Sequence, residues 1–363
     1  MLGGPARGIA AGAALIAIML AGAALARPVF ASPPIGGHVP PPRGADGKLT
    51  ARQLAADLRS GVNTQRVPSN LRPSLAAAPH DYTLISKNGC ELTLVPVWSK
   101  PCVFGDTSSQ TSVVLFGDSH AGVWFPALNA ITRRHHWRLV IFTKDACPAE
   151  AVNVVRRGHA YPQCPIWRRN AEQQIAALHP ALVVVASLQY ITVNGRQPPP
   201  VNGMRPLAGV PTGHGGPWQN GVAATFSFLH QAAQRTLYIT DVPILNQAAP
   251  RCLSAHLADV PACTVSTRVG FRHPRLTADE LKLAKQAHID SVNDSSWFCT
   301  PTRCPVIVGN IELYRDSQHM DPEWSSFLSP ILDHVVTRVM SAPPATATST
   351  APTPRTGFGS GVG

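Results

Sequence analysis

Gly117-Asp118-Ser119-His120 follows the apolar run Val113-Val114-Leu115-Phe116, and Asp316-Ser317-Gln318-His319 stands near the other end of the chain. A serine on a sharp turn after a buried strand is presented at the strand's carboxyl edge, where open α/β sheets bind ligands. A free serine hydroxyl is a weak nucleophile and needs a base beside it. An Asp three residues before a His can orient that imidazole, and the imidazole can then take the serine proton. Ser119 as nucleophile, His319 as base and Asp316 as its partner make a candidate Ser-His-Asp site for acyl-ester chemistry. Asp118 reads as a carboxylate that stabilises the turn, and His120 as a side chain packed or hydrogen-bonded beside it.

The elements that must carry these residues alternate between strand and helix. Residues 113–116, 137–143, 182–186, 236–240 and 306–308 read as strands, and 121–134, 166–178, 223–235 and 322–339 as helices. Continuous apolar strands alternating with helices predict a parallel sheet covered on both faces. Five such strands suit a flavodoxin-like, doubly wound order in a three-layer α/β/α domain. Two capping boxes mark helix starts: Thr50 with Gln53, with Gly61 as the stop, and Thr277 with Glu280, opening a helix to about Val292. The Gly/Pro-rich stretch 194–216 is a long connection of the kind that serves as an active-site lid.

Domain bounds follow from composition. Arg7 precedes an unbroken small and apolar run over 9–26, so residues 1–31 are either a cleaved signal peptide or a single membrane anchor. Residues 32–72 form a Pro/Gly-rich linker with one short helix, 73–340 the catalytic-type domain, and 341–363 a disordered Ser/Thr/Pro/Ala tail. Eight cysteines fall into four near neighbours, Cys90 with Cys102, Cys147 with Cys164, Cys252 with Cys263 and Cys299 with Cys304. Local disulfides of this kind place the domain in an oxidising, extracytoplasmic compartment. No cysteine pair or histidine spacing suits a metal, so neither metal nor cofactor is expected. The net charge of +11 is scattered and not interleaved with aromatics, which argues against nucleic acid as a partner.

The segments 113–121, Thr143-Lys144-Asp145-Ala146-Cys147-Pro148, Cys164 with Trp167, and Tyr314-Arg315-Asp316-Ser317-Gln318-His319 resemble the SGNH hydrolase superfamily. Within it the chain is similar to the extracytoplasmic SGNH domain fused to membrane acyltransferase-3 proteins of bacteria. The resemblance covers about residues 73–339. It implies the same flavodoxin-like fold, Ser119 as nucleophile, His319 as base and Asp316 as its partner. It also implies transfer or hydrolysis of acyl groups, often acetyl, on envelope glycans or glycolipids, and a possible membrane acyltransferase-3 partner. That family pattern usually adds a Gly and an Asn as oxyanion donors. Here the matching positions hold Thr143-Lys144-Asp145 and Ala186-Ser187-Leu188-Gln189. The backbone N–H of Ser119 remains, and the Gln189 side chain is the candidate substitute. The rival expectation is a catalytically weak glycan-binding partner of a separate membrane acyltransferase.

Overall fold

The computed structural model describes residues 35–189, 193–194 and 216–342. The N-terminal stretch expected to be a signal peptide or anchor, most of the 194–216 connection and the tail beyond Ala342 lie outside the described residues. Among the described residues no helix is long and apolar enough to cross a membrane.

Seven strands form the central sheet: β1 (Glu91–Leu92), β2 (Cys102–Gly105), β3 (Ser112–Gly117), β4 (Arg138–Lys144), β5 (Leu182–Ala186), β6 (Thr236–Ile239) and β7 (Asp290–Val292). The path runs β1-β4-β3-β5-β6-β7, and β2 pairs antiparallel with the start of β4 while β1 pairs parallel with its end. The remaining pairs are parallel. From β3 onward the spatial order is second-first-third-fourth-fifth, the flavodoxin-like winding that the strand–helix alternation predicts.

Side chains on a strand alternate between faces, and here both faces are covered. Val113, Leu115, Leu139, Ile141, Leu182 and Val184 enter one core. Val114, Phe116, Val140, Phe142, Val183 and Val185 enter the other. The first core is closed by α1 (Ala51–Val62), α3 (Phe125–Arg134), α7 (Pro322–Phe327) and α8 (Ser329–Ser341), through residues such as Leu58, Ile131, Trp324 and Leu332. The second is closed by α4 (Gln163–Leu178), α5 (Pro217–Ala232) and α6 (Pro274–Gln286), through Trp167, Phe226 and Leu283. A short helix, α2 (Ser119–Gly122), follows β3 and begins with Ser119. Each fully buried Leu, Ile or Phe contributes about 1.5–3 kcal/mol.

The helix ends correct several expectations. Thr50 and Gln53 do form a reciprocal capping box on α1. Gly61, however, does not stop that helix, which runs to Val62. A Cβ at Gly61 would lie 2.6 Å from the Ile307 carbonyl oxygen, so glycine is there for close packing. Thr277 and Glu280 are not a capping box. Pro274 opens α6, and Thr277 lies inside it with its hydroxyl donated back to the His273 carbonyl. The helix stops at Gln286, and β7 follows as the fifth parallel strand.

The expected strand at 306–308 belongs elsewhere. Ile307–Val308 pairs antiparallel with Ile311–Glu312 in a separate two-stranded ribbon. Its apolar run reports burial in the first core rather than membership of the sheet. Asp290–Val292, expected as the end of the helix running to about Val292, is instead an edge strand, which need not be apolar: Asp290 is exposed and its neighbours are half-buried. The expected helix over 322–339 is two helices, α7 and α8, with Leu328 between them.

All four cysteine pairs are disulfides: Cys90–Cys102, Cys147–Cys164, Cys252–Cys263 and Cys299–Cys304. Their separations of 12, 17, 11 and 5 residues close short loops. Cross-links of that size constrain the unfolded chain by roughly 2–3 kcal/mol each. Cys90–Cys102 ties β1 to β2, so both strands are held on the same edge of β4.

Candidate active site

β3 ends at Gly117, where the chain turns sharply over β5. Gly117 has φ +150°, and a Cβ there would lie 1.9 Å from the Ala186 carbonyl oxygen. Only glycine allows this approach, because the obstructing atom is backbone in a paired strand. Gly117→Ala is therefore expected to destabilise the domain by about 3 kcal/mol or more. Denaturant unfolding checks this, and a loss below about 1 kcal/mol would show that the turn relaxes freely.

Asp118 caps the turn. Its carboxylate accepts from the His120 N–H at 2.8 Å and from the Leu188 N–H at 3.1 Å, tying the start of α2 to the chain leaving β5. The carboxyl is completely buried, and burial lifts its pKa to about 7 against the pull of His120 and of these N–H donors. Asp118 is thus spent on the turn. Ser119 follows it and faces a cleft of about 470 Å³.

The second segment lies between Tyr314 and Met320, both fully buried and bridged to each other. Arg315 N–H donates to the His319 carbonyl at 3.1 Å, closing the turn. Asp316 Oδ1 accepts from the N–H groups of Gln318 and His319, each at 2.8 Å. Its Oδ2 lies 2.7 Å from His319 Nδ1. His319 Nε2 then lies 2.9 Å from Ser119 Oγ. The sequence-predicted serine, histidine and aspartate thus meet in one hydrogen-bonded chain at the carboxyl edge of the sheet. Burial acts to raise the Asp316 pKa, but the His319 bond and charge, the Gln318 N–H and Arg315 hold it well below the usual carboxylate range. Burial lowers the His319 pKa. Asp316 opposes that shift, and the charges of His120 and Arg315 add to it.

Behind Ser119 is a second histidine–carboxylate pair. His120 Nδ1 donates to Asp241 Oδ1 at 2.6 Å, and the His120 ring centroid is 5.0 Å from that of His319. Burial works against a charge on His120, yet Asp241, Asp118 and Asp316 raise its pKa to about 9. Positive charge on His120 beneath the site disfavours a second charge on His319. Nothing in the spacing of the sequence pairs His120 with Asp241, 121 residues away.

Gln189 is a correction. Its side-chain N–H groups donate to Thr277 Oγ1 at 2.9 Å and Glu280 Oε2 at 2.7 Å, so both donors are engaged away from Ser119. The misread Thr277 and Glu280 are the residues that hold it. Its backbone N–H goes to Asp241 Oδ2.

Sequence reading also missed the cleft wall. Lys144 Nζ donates to the carbonyls of Thr93, Leu94 and Pro96 at 2.6, 2.9 and 2.7 Å, fixing the segment that follows β1. Burial lowers its pKa to about 8. A lysine closing the apolar strand run of β4 was the available signal. Glu91 also lines the cleft, takes the Ser86 hydroxyl at 2.5 Å and has its pKa raised by burial. Among the described residues no group of three or more His, Cys, Asp or Glu is placed to hold a metal ion.

Comparison with known proteins gives these matches. Residues 71–334 match the family model described as SGNH domain (fused to AT3 domains). No curated protein matches. Among solved structures, the chain is similar to the periplasmic domain of a lipopolysaccharide acetyltransferase of Salmonella ser. Paratyphi A. That match has 15% identity and TM-score 0.47, and covers 78% of this chain and 94% of that one. A carbohydrate acetylesterase family member from Sinorhizobium meliloti shares 16% identity at TM-score 0.34, covering 64% of this chain and all of that one. The family match spans most of the described domain, including both motif segments and the sheet between them, and on it the chain belongs to the SGNH domain family found fused to AT3 domains.

Proposed function

We propose that the chain is an SGNH-type serine O-acyltransferase or acyl esterase acting on acyl groups, acetyl foremost, of envelope glycans or glycolipids. The observation that carries this is the 2.9 Å contact between Ser119 Oγ and His319 Nε2, with Asp316 on the opposite ring nitrogen. In this reading His319 takes the Ser119 proton as Oγ attacks the acyl carbonyl. The backbone N–H of Ser119 faces the developing oxyanion. Collapse transfers the acyl group to Ser119, and His319 returns the proton to the departing oxygen. Water or a sugar hydroxyl then resolves the acyl-serine by the same steps, giving hydrolysis or transfer. The disulfides support an exported protein, either secreted or tethered through residues 1–31. Fusion of this family to AT3 domains supports a membrane acyltransferase, as partner or fused domain, as the acyl donor.

A second reading has one observation behind it. With Gln189 engaged by Thr277 and Glu280, the side-chain oxyanion donor expected from the sequence is not available to Ser119 among the described residues. Loss of one such donor costs about 2.7–4 kcal/mol of barrier. That favours a weak catalyst serving as glycan-binding partner to a membrane acyltransferase.

A pH profile separates the two. The base works only while His319 is neutral, and its pKa lies below the ordinary 6.5. Hydrolysis of p-nitrophenyl acetate is therefore expected to hold constant from about pH 8 down to about 6.5, then fall as pH drops through the lowered pKa. An acid limb above 7 would show that the group whose ionisation limits the rate is not a His319 with a lowered pKa, and turnover no faster than background would remove the catalytic reading and leave the binding one.

A further inference from the structure

The mouth of the cleft carries an aromatic ring in an unusual setting. Tyr82 is 43% exposed although it lines the same cleft as Ser119 and His319. Its ring is not loose. The Arg315 guanidinium carbon lies 4.2 Å from the ring centroid, so one face rests on a cation. The backbone beneath is fixed by the Tyr82 N–H to His80 carbonyl bond at 2.9 Å and by the helix Leu84–Lys87 that follows. A held ring loses little further freedom on binding, which is what a recognition surface needs.

Arg315 supplies the complementary chemistry. Its side chain is only 11% exposed, and Asp316 Oδ2, at 4.0 Å, is its one carboxylate neighbour within that distance among the described residues. A guanidinium has five donors in one plane, and stacking uses its face, leaving the edges for hydrogen bonds. The charge around it is mixed. Arg315 and Lys87 share the cleft with Glu91, Asp145 and Asp316. Such a lining has no strong field for an anion or a cation, but it offers many hydrogen bonds to a neutral polyol. A pyranose has that character: an apolar C–H face, and hydroxyls around its rim.

We propose that Tyr82, its ring held from behind by Arg315, forms a sugar subsite at the mouth of the cleft, where a neutral pyranose stacks its C–H face on the ring face that Arg315 leaves open and its hydroxyls meet the polar groups of the cleft lining. The ring so placed is the one that carries or accepts the acyl group at Ser119, and in this respect the subsite rests on the acyl-transfer reading. Tyr82 is a specificity residue; it does not touch the reacting atoms.

The test compares an acyl sugar with an ester that has no ring. Rates of acid release are measured for methyl 6-O-acetyl-glucopyranoside and for ethyl acetate, in wild type, Tyr82→Ala and Tyr82→Phe, with melting temperatures alongside. The ratio of kcat/KM for the sugar ester to that for ethyl acetate is expected to fall about tenfold in Tyr82→Ala, mainly through KM, and to be restored in Tyr82→Phe. A ratio unchanged in Tyr82→Ala overturns the subsite. A second measurement does not depend on turnover. Saturation-transfer NMR should detect the same sugar on Ser119→Ala protein and lose it on the Ser119→Ala/Tyr82→Ala double variant. Sugar bound equally by both variants overturns the subsite while leaving the acyl-transfer reading standing. Turnover of neither ester by wild type, with Tyr82-dependent binding intact, sinks acyl transfer and keeps the subsite.

Discussion

Ser119→Ala is expected to abolish turnover of p-nitrophenyl acetate, by on the order of 10⁴- to 10⁶-fold, while leaving the fold intact. The loss is large because the bond to be made is to Ser119 Oγ, which among the described residues is the hydroxyl hydrogen-bonded to His319 Nε2, at 2.9 Å. The fold survives because Ser119 is not what holds the turn. Asp118 caps α2, and Gly117 permits the approach of β3 to β5. Melting temperature should therefore stay within about 2 °C of wild type. Activity measured with purified variant and matched circular dichroism gives both quantities together. Turnover within tenfold of wild type would assign the nucleophile elsewhere. A collapse in melting temperature would mean that the hydroxyl has a structural role that Asp118 does not cover.

That the site was partly readable in the sequence has a physical basis. Residues 113–116 are buried on both faces, and such strands read as unbroken apolar runs, so the turn after them could be placed at the sheet's edge. Asp316 and His319 are three residues apart, a local spacing that a single turn satisfies. Long-range pairings leave no such mark. His120 with Asp241, Gln189 with Glu280, and Lys144 with Thr93 are each side-chain choices made by the packed fold. Thr277 and Glu280 misled for a related reason. Their spacing fits a capping box, but Pro274 had already opened the helix, and the carboxyl was drawn inward. There it accepts Trp218 Nε1 at 2.6 Å and the Gln189 amide at 2.7 Å. Likewise 306–308 is apolar because it is buried beneath α1, while β7 is a true sheet strand with an exposed Asp290. Hydrophobicity reports burial, and burial on its own does not say which element an apolar run joins.

Asp316→Asn is expected to be nearly as damaging as loss of the nucleophile, by about 10⁴-fold, although it removes no atom from the chain of contacts. The reason is the tautomer. Asp316 Oδ1 is held by two backbone donors, the N–H groups of Gln318 and His319, and Oδ2 faces His319 Nδ1. In the variant the amide oxygen must stay on the two backbone donors, since turning it away would leave both N–H groups facing an NH₂. The NH₂ then points at Nδ1, and Nδ1 has to accept. The imidazole proton moves to Nε2, which lies 2.9 Å from Ser119 Oγ and can no longer take the serine proton. The turn itself keeps its hydrogen bonds, so folding should be nearly unaffected and the loss should fall on kcat rather than on KM. Nitrogen-15 NMR of the histidine ring should report Nδ1–H in the wild type and Nε2–H in the variant. Wild-type activity in a protein whose His319 has switched tautomer would show that His319 is not the base, and activity retained without a switch would show that the Asp316 carboxylate does not set the ring's orientation.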